Sequence, residues 1–387
     1  MAENNTKRIP YAPLALMPLK SIEPLAHKVD QCLVEWRSEE IKEHADSEVY
    51  SDYVKDTYII PTRNPRFGSG EAKGEILKSV RGDDIYMMVD VMNYSLTYSI
   101  FGVENHMSPD DHYQDLKRLI AAAEGKGKRI NVIMPFMYES RQHKRSGRES
   151  LDCAMMLQEL HAMGVENFIT FDAHDPRVMN AIPEDSFDNV PCAYQFIKAI
   201  LSCYKDLQID PQHMMIISPD EGGMGRAIYY ANVLGLDVGM FYKRRDYSKV
   251  VNGKNPIVAH EFLGADVKGK DVVIIDDMIS SGESLIDTAS ELKQRGAKRV
   301  LACTTFGLFT DSFDKFDKAY ENGVIDAVLT TNLVYQKPEL LEKKWYRSVD
   351  LSRQIALIID RLNHDESISD LLDNTEKINK ILSEYGK

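Results

Sequence analysis

Asp276 and Asp277 stand side by side between an apolar run, Val272, Val273, Ile274 and Ile275, and a small, hydroxyl-rich turn, Ser280, Ser281, Gly282, Glu283 and Ser284. Two Val and two Ile in succession read as a strand buried on both faces. The two carboxylates fall where that strand is expected to end. Leu285, Ile286, Ala289 and Leu292 follow at helical spacing, and Gly296 suits the left-handed position past a helix end. A strand, a Ser/Gly turn and a helix N-terminus form a cradle for phosphate, because backbone N–H groups converge there. The adjacent acids can hold sugar hydroxyls, or a metal through water. Together they suit a phosphorylated sugar. Ser280, with Glu283 three residues later, also reads as a helix capping box, which leaves Ser281 and Ser284 to meet the phosphate.

Other segments repeat the theme of chemistry placed just past a strand. Asp172 and His174 are two residues apart and point the same way if the extended backbone continues. A His beside carboxylates can ligate a divalent metal or touch a terminal phosphate. Ser218, Pro219 and Asp220 lead into Gly222 and Gly223, and then into a helix that carries Arg226. Two basic clusters stand out, one of Arg141, His143, Lys144, Arg145 and Arg148, the other of Lys243, Arg244 and Arg245. Both lie beyond a predicted strand, where open α/β sheets place ligands.

The elements that must hold these residues alternate. Strands are expected at 130–134, 167–171, 214–217, 238–241, 300–305 and 327–331, with helices between them and at 351–362. Such alternation implies parallel sheets with right-handed crossovers. The strands fall into two sets with a hinge near 185–210, so two α/β domains are expected, although no clean repeat is visible in the sequence. Residues 38–56 and 246–270 read as insertions or loops, the second as a mobile one. Residues 368–382 read as one amphipathic helix.

The bulk numbers set limits. The chain has 387 residues, 43% hydrophobic and 28% charged, with a formal net charge of −13. The negative charge argues against a nucleic-acid partner. No apolar run is long enough to cross a bilayer, and the first ten residues lack the apolar core of a signal peptide. Cys32, Cys153, Cys192, Cys203 and Cys303 are odd in number and widely spaced. They imply no disulfide framework and no zinc site, and a reducing, cytoplasmic setting is expected.

Taken together, these segments resemble the ribose-phosphate pyrophosphokinases, also called phosphoribosyl pyrophosphate synthetases, over roughly 14–362. Arg66, Phe67 and Glu71, followed by Ser79, Val80, Arg81 and Gly82, are similar to the family's first ATP segment. Arg141 and Gln142, within 135–145, are similar to the second. Asp172 and His174 match the metal-binding D-x-H. Ser218, Pro219, Asp220, Gly222, Gly223 and Arg226 match the S-P-D-x-G-G segment. Lys243 to Arg245 match the basic triplet that opens the catalytic flexible loop, here 243–270. The stretch 276–284 matches the ribose-phosphate loop shared with type I phosphoribosyltransferases.

The resemblance implies two tandem type I phosphoribosyltransferase-like domains, each a mostly parallel sheet flanked by helices. They would span 1–190 and 191–362, with a helical tail at 363–387. It also implies transfer of a diphosphoryl group from Mg-ATP to the 1-hydroxyl of ribose 5-phosphate. Phe67, Ser69, Glu71, Arg141 and Gln142 would bind ATP. Asp276, Asp277 and the loop Ser280, Ser281, Gly282, Glu283 and Ser284 would bind the sugar phosphate. His174, Asp220 and Asp172 would hold magnesium, and Lys243 and Arg245 would act in catalysis. The family assembles as dimers that build hexamers, so a homo-oligomer is expected.

The sequence also departs from the pattern. Ser69 replaces an acid, His143 and Lys144 replace Asp-Arg, Ser280 replaces Asp, and Glu283 adds a carboxylate beside a phosphate, which requires that it point outward. Two other readings remain: a non-catalytic homologue that assembles with a true synthetase, suggested by Ser69 and His143, and a phosphoribosyltransferase that consumes the diphosphate. The Arg141 and Lys243 segments speak against the second.

Overall fold

A computed structural model describes residues 8–43, 53–184, 186–245 and 257–385. The chain divides into two compact units. The first takes the described residues up to Pro191 together with Leu333–Tyr335 and Asp350–Asp373. The second takes Cys192–Asn332, Gln336–Val349 and the described residues from Asn374 onward. The expected boundary at 362 is therefore corrected. Helix Ser352–Asn363, expected to close the C-terminal domain, belongs to the N-terminal unit. Its apolar face, Ile355, Ala356, Ile358 and Ile359, is buried, and it packs on helix Glu23–Glu43.

In the N-terminal unit the strands are β1 (Leu14–Pro18), β2 (Thr62–Arg63), β3 (Glu75–Ile76), β4 (Asp84–Met88), β5 (Thr97–Ile100), β6 (Val103–His106), β7 (Arg129–Ile133), β8 (Asn167–Phe171) and β9 (Ser186–Val190). The sheet order is β1-β4-β7-β8-β9, all parallel. β2-β3 and β5-β6 form two small antiparallel hairpins outside it. β1 and β4 are buried along their whole length, as strands covered on both faces must be.

The C-terminal unit has β10 (Met214–Ser218), β11 (Asp237–Arg245), β12 (Ile257–Leu263), β13 (Asp271–Ile279), β14 (Arg299–Gly307), β15 (Ala327–Thr331) and β16 (Tyr346–Val349). Their order is β12-β11-β10-β13-β14-β15-β16, parallel except for the β11-β12 edge pair. Met215, Ile217, Val272, Ile274, Val300 and Ala302 face helix residues Ala289 and Leu292 in one apolar core. Phe316 stacks on Trp345, with ring centres 5.1 Å apart, and closes the core at one end.

The two units share a device that local patterning did not reveal. Asp84 at the start of β4 receives two bonds from Arg129 of β7, at 2.8 and 2.7 Å, in the same rung. Asp271 at the start of β13 receives two from Arg299 of β14, both at 2.7 Å, again in the same rung. Asp84 and Asp271 are buried, and a fork-to-fork pair satisfies both partners of such a charge. In the N-terminal unit Asn363 also donates to Asp84, at 2.9 Å, which locks helix Ser352–Asn363 to the sheet.

Three further expectations change. The long loop after the basic triplet is not loop throughout, because Ile257–Leu263 returns as β12 beside β11; residues 246–256 lie outside the described residues. Residues 38–43 continue helix Glu23–Glu43, and 44–52 also lie outside the described residues. The tail is two helices, Ser369–Leu372 and Thr375–Tyr385. The break falls where the chain passes from one unit to the other. No described helix is long and apolar enough to cross a membrane.

Candidate active site

In the C-terminal unit β13 runs four residues past the apolar run that ends at Ile275, to Ile279. Asp276 and Asp277 therefore sit inside the strand, with Asp276 in the rung of Thr304. Asp277 is buried, and its backbone N–H donates to Asp276 Oδ1 at 2.9 Å. Burial, with the charges of Asp277 and Asp220 added, pushes the Asp276 carboxyl well above the usual carboxylate range. Taking a carboxylate from water beside another acid disfavours its ionised form.

The strand then hands over to a helix through Gly282, which adopts φ +82°. A Cβ there would overlap the Phe316 ring, so both the backbone angle and the aromatic wall require glycine. Helix Glu283–Gln294 begins at the next residue, and its first internal bond joins Ile286 N–H to Gly282 O at 3.0 Å. The helix therefore starts at Glu283, and the capping-box reading is corrected. Gly282 occupies the cap, no side chain caps the helix, and Ser280 and Glu283 stand in no reciprocal pair. Glu283 instead pairs with Lys315 at 2.7 Å on the next helix, Asp314–Glu321, and is 68% exposed. The outward orientation required of this carboxylate is the one observed. The Ser280 carbonyl accepts from Thr310 N–H at 3.0 Å, which fixes the near side of the turn.

Asp220 lies two residues past the end of β10. Its Oδ1 accepts from Gly223 N–H at 3.1 Å, while its carbonyl accepts from the Ser218 hydroxyl at 2.7 Å. A Cβ on Gly223 would approach Ser218 Oγ to 3.0 Å, so the turn is tightly packed against that hydroxyl. Helix Met224–Leu234, which carries Arg226, starts immediately after. Lys243, Arg244 and Arg245 fall in the last rungs of β11, opposite His260, Ala259 and Ile257, with an irregularity between Arg244 and Arg245.

In the N-terminal unit Phe67, Ser69 and Glu71 sit on the tip between β2 and β3. Phe67 N–H donates to Glu71 O at 2.7 Å, and Ser69 Oγ donates to Glu71 Oε2 at 2.8 Å. Phe67 is 53% exposed, an apolar face offered to solvent. Arg66 anchors the tip: its guanidinium donates to Asp115 at 2.9 Å and lies 4.6 Å from the centre of the Tyr98 ring. A cleft of about 750 Å³ runs along this base, with Arg63, Asn64, Tyr98, His112 and Asp115 in its wall. Asp115, Tyr98 and His112 were missed from the sequence. They sit on a helix face and a short hairpin that carry no motif.

Arg141 is exposed, and Gln142 braces its own loop, donating to Ser150 O at 2.8 Å. Past β8 the same-side argument for Asp172 and His174 fails. Asp172 takes φ +38°, and its N–H donates to Val190 O at 3.1 Å. The chain leaves the extended conformation there, which Asp tolerates better than most residues. The turn carries His174 to a position where its ring meets His143, with centres 5.2 Å apart and planes inclined at 61°. His143 Nε2 lies 3.5 Å from Asp175 Oδ2. Arg177 also bonds Asp175, at 2.9 Å from Nε, and holds that carboxyl down to about 2. Among the described residues no three His, Cys, Asp or Glu side chains already stand arranged around a metal position. His174 and Asp172 belong to the N-terminal unit, Asp220 to the C-terminal one.

Two family models match the chain: the N-terminal domain of ribose phosphate pyrophosphokinase over residues 14–164, and the phosphoribosyl synthetase-associated domain over 248–373. A ribose-phosphate pyrophosphokinase of Vibrio cholerae is 30% identical over 311 residues, covering 79% of this chain and 88% of that protein. One from Staphylococcus saprophyticus is 25% identical over 364 residues, covering 93% and 97%. In fold, the chain resembles the crystal structure of phosphoribosylpyrophosphate synthetase from Mycobacterium smegmatis, with a TM-score of 0.70 and 21% identity over 91% of this chain and 99% of that one. The chain belongs to the ribose-phosphate pyrophosphokinase family of enzymes.

Proposed function

We propose that the protein transfers the β,γ-diphosphoryl group of ATP to the 1-hydroxyl of ribose 5-phosphate, giving 5-phosphoribosyl 1-diphosphate and AMP. The observation that carries this reading is the junction at Gly282. There a strand bearing Asp276 and a buried Asp277 passes directly into a helix N-terminus. The 5-phosphate rests on the turn 281–284, where the helix dipole and first-turn N–H groups favour an anion. Asp276 and Asp277 accept the ribose 2- and 3-hydroxyls. Phe67 takes the adenine face, with Ser69, Glu71 and Arg141 at its edge and Gln142 bracing the loop that presents Arg141. Lys243 and Arg245 neutralise charge that develops on the transferred group, and phosphoryl transfer depends on such neutralisation more than on covalent catalysis.

His174 and Asp172 in the N-terminal unit, and Asp220 in the C-terminal unit, are the positions proposed for magnesium. The donor types fit a divalent cation: carboxylate oxygens from Asp172 and Asp220 and an imidazole from His174. Bound magnesium supplies charge neutralisation on the diphosphate.

Incubation of purified protein with ribose 5-phosphate and a panel of Mg-nucleotides, with product masses, tests the reading. ATP is expected to yield AMP and the diphosphate, and Lys243→Ala is expected to lose most of the rate. Absence of AMP across magnesium and phosphate concentrations overturns it.

A further inference from the structure

We propose that His143 is a second imidazole ligand to the cation at His174, and that it shifts this position from Mg²⁺ towards an imidazole-preferring ion such as Mn²⁺ or Co²⁺. The inference rests on the reading of His174 as a metal residue and adds to it a residue that the ligand set named above leaves out.

Three features of the pair converge. His143 Nδ1 is buried and has no hydrogen-bond partner. A buried polar atom left unsatisfied is destabilising, so the atom suits a group that the protein alone does not provide. The opposite nitrogen, Nε2, lies 3.5 Å from Asp175 Oδ2. A carboxylate on that side favours the tautomer with its proton on Nε2, which leaves a lone pair on Nδ1. A metal-bound histidine is oriented in the same way, its second nitrogen facing an acceptor.

The ring geometry agrees. Two imidazoles on one ion, each at about 2.1 Å and at roughly 90–110° to one another, place their ring centres roughly 4.5–5.3 Å apart. The His143 and His174 rings stand 5.2 Å apart, edge to face.

His143 and His174 would bring two imidazoles beside the Asp172 carboxylate, with water and diphosphate oxygens in the rest of the shell. Hard Mg²⁺ prefers oxygen donors and keeps much of its water, whereas imidazole suits the transition metals. His143 is one of two changes, with Lys144, that this part of the basic loop carries relative to the family pattern. Asp175, beside His174, supplies the carboxylate that orients it.

Proton NMR of the Co²⁺-loaded full chain counts the ligands, because each bound imidazole contributes one exchangeable, hyperfine-shifted N–H signal. Calorimetric titration with Co²⁺ and with Mg²⁺ gives affinities. Wild type is expected to show two such signals. His143→Asn is expected to show one, to lose at least tenfold in Co²⁺ affinity, and to keep its Mg²⁺ affinity within about twofold. Asp175→Asn should weaken Co²⁺ binding while keeping both signals, as loss of an orienting carboxylate does. Thermal melts establish that each variant is folded. If His143→Asn leaves signals and affinity unchanged while His174→Asn removes them, the inference falls and His174 stands as a metal residue. If His174→Asn also changes nothing, both fall.

Discussion

The Glu283 carboxylate lies 2.7 Å from the Lys315 ammonium, which also reaches Asp311 at 2.9 Å. An acid at the first position of the helix proposed to bind the 5-phosphate is thus held by a cation from the next helix. Lys315 holds the acid in an ion pair and, in the proposed reading, keeps it off the phosphate. Lys315→Ala is expected to raise the KM for ribose 5-phosphate about three- to tenfold with little change in kcat or in the KM for ATP. The exposed pair is screened by salt, so the difference should shrink as ionic strength rises. Glu283→Gln in the Lys315→Ala background should recover part of the loss. An unchanged KM in Lys315→Ala would show that the pair is only surface decoration.

Gly282 meets two constraints, a positive φ and the Phe316 ring. Gly282→Ala is expected to cost roughly 1–2 kcal/mol for the backbone and about 1–3 kcal/mol for overpacking, and to lose ribose 5-phosphate binding more than ATP binding. Phe316→Leu in the same chain relieves the overlap but not the angle, so it should recover stability before it recovers affinity. Thermal unfolding and substrate titration of both variants give the comparison.

The elevated Asp276 carboxyl makes a proton-release prediction. A carboxyl whose value lies well above the ordinary range holds its proton at a pH where a free one would not. Ligands that need the anion must therefore displace that proton, and their affinity rises with pH until the carboxyl ionises unaided. Calorimetry of Mg²⁺ and ribose 5-phosphate binding, in buffers of different ionisation enthalpy near neutral pH, should show net proton release. Asp276→Asn should remove it. Equal enthalpies in every buffer for wild type would contradict this account.

Asp90 couples pH to stability in the opposite direction from an ordinary ion-paired acid. It is buried, and it accepts from Met92 N–H at 2.8 Å and from Tyr335 N–H at 2.6 Å. Burial nevertheless raises its carboxyl to about 7, against about 3.9 in an unfolded chain. Between those values the native state binds the extra proton, so this residue's contribution to stability falls as pH rises. The slope is at most about 1.4 kcal/mol per pH unit. Below about pH 4 there is no penalty, and above about 7 it is complete. Denaturant melts from pH 4 to 8 should be flatter for Asp90→Asn than for wild type, with the two curves diverging in favour of the variant as pH rises.

The strands and turns that carry the candidate residues were legible because parallel strands declare themselves as apolar runs and the turns after them as glycine and hydroxyl clusters. The runs at 167–171 and 327–331 match β8 and β15 to the residue. Failures came where tertiary contacts override local pattern. Nothing within 280–284 says that Phe316 presses on Gly282, so the helix start was placed early. Asp172 leaves the strand conformation because Val190, on a neighbouring strand, takes its N–H. β16 and the short hairpins carry too little periodicity to be seen. The repeated Asp–Arg pairs join strands far apart in sequence, Asp84 with Arg129 and Asp271 with Arg299, and only pairing brings them into one rung.

The route of the chain through its two units bears on how the molecule is made. The N-terminal unit is not finished when residue 191 leaves the ribosome. Arg129 still lacks Leu362 O, Asp84 still lacks Asn363, and Arg37 still lacks Asp360, its partner at 3.3 Å. Synthesis proceeds at about 5–20 residues per second, so the first sheet waits on the order of ten seconds or more for the helix that covers it. During that interval a nascent chain exposes the apolar side of helix Glu23–Glu43 that Ser352–Asn363 will cover. A stop codon near residue 350 would remove less than a tenth of the polypeptide and yet strip the first-made half of its cover.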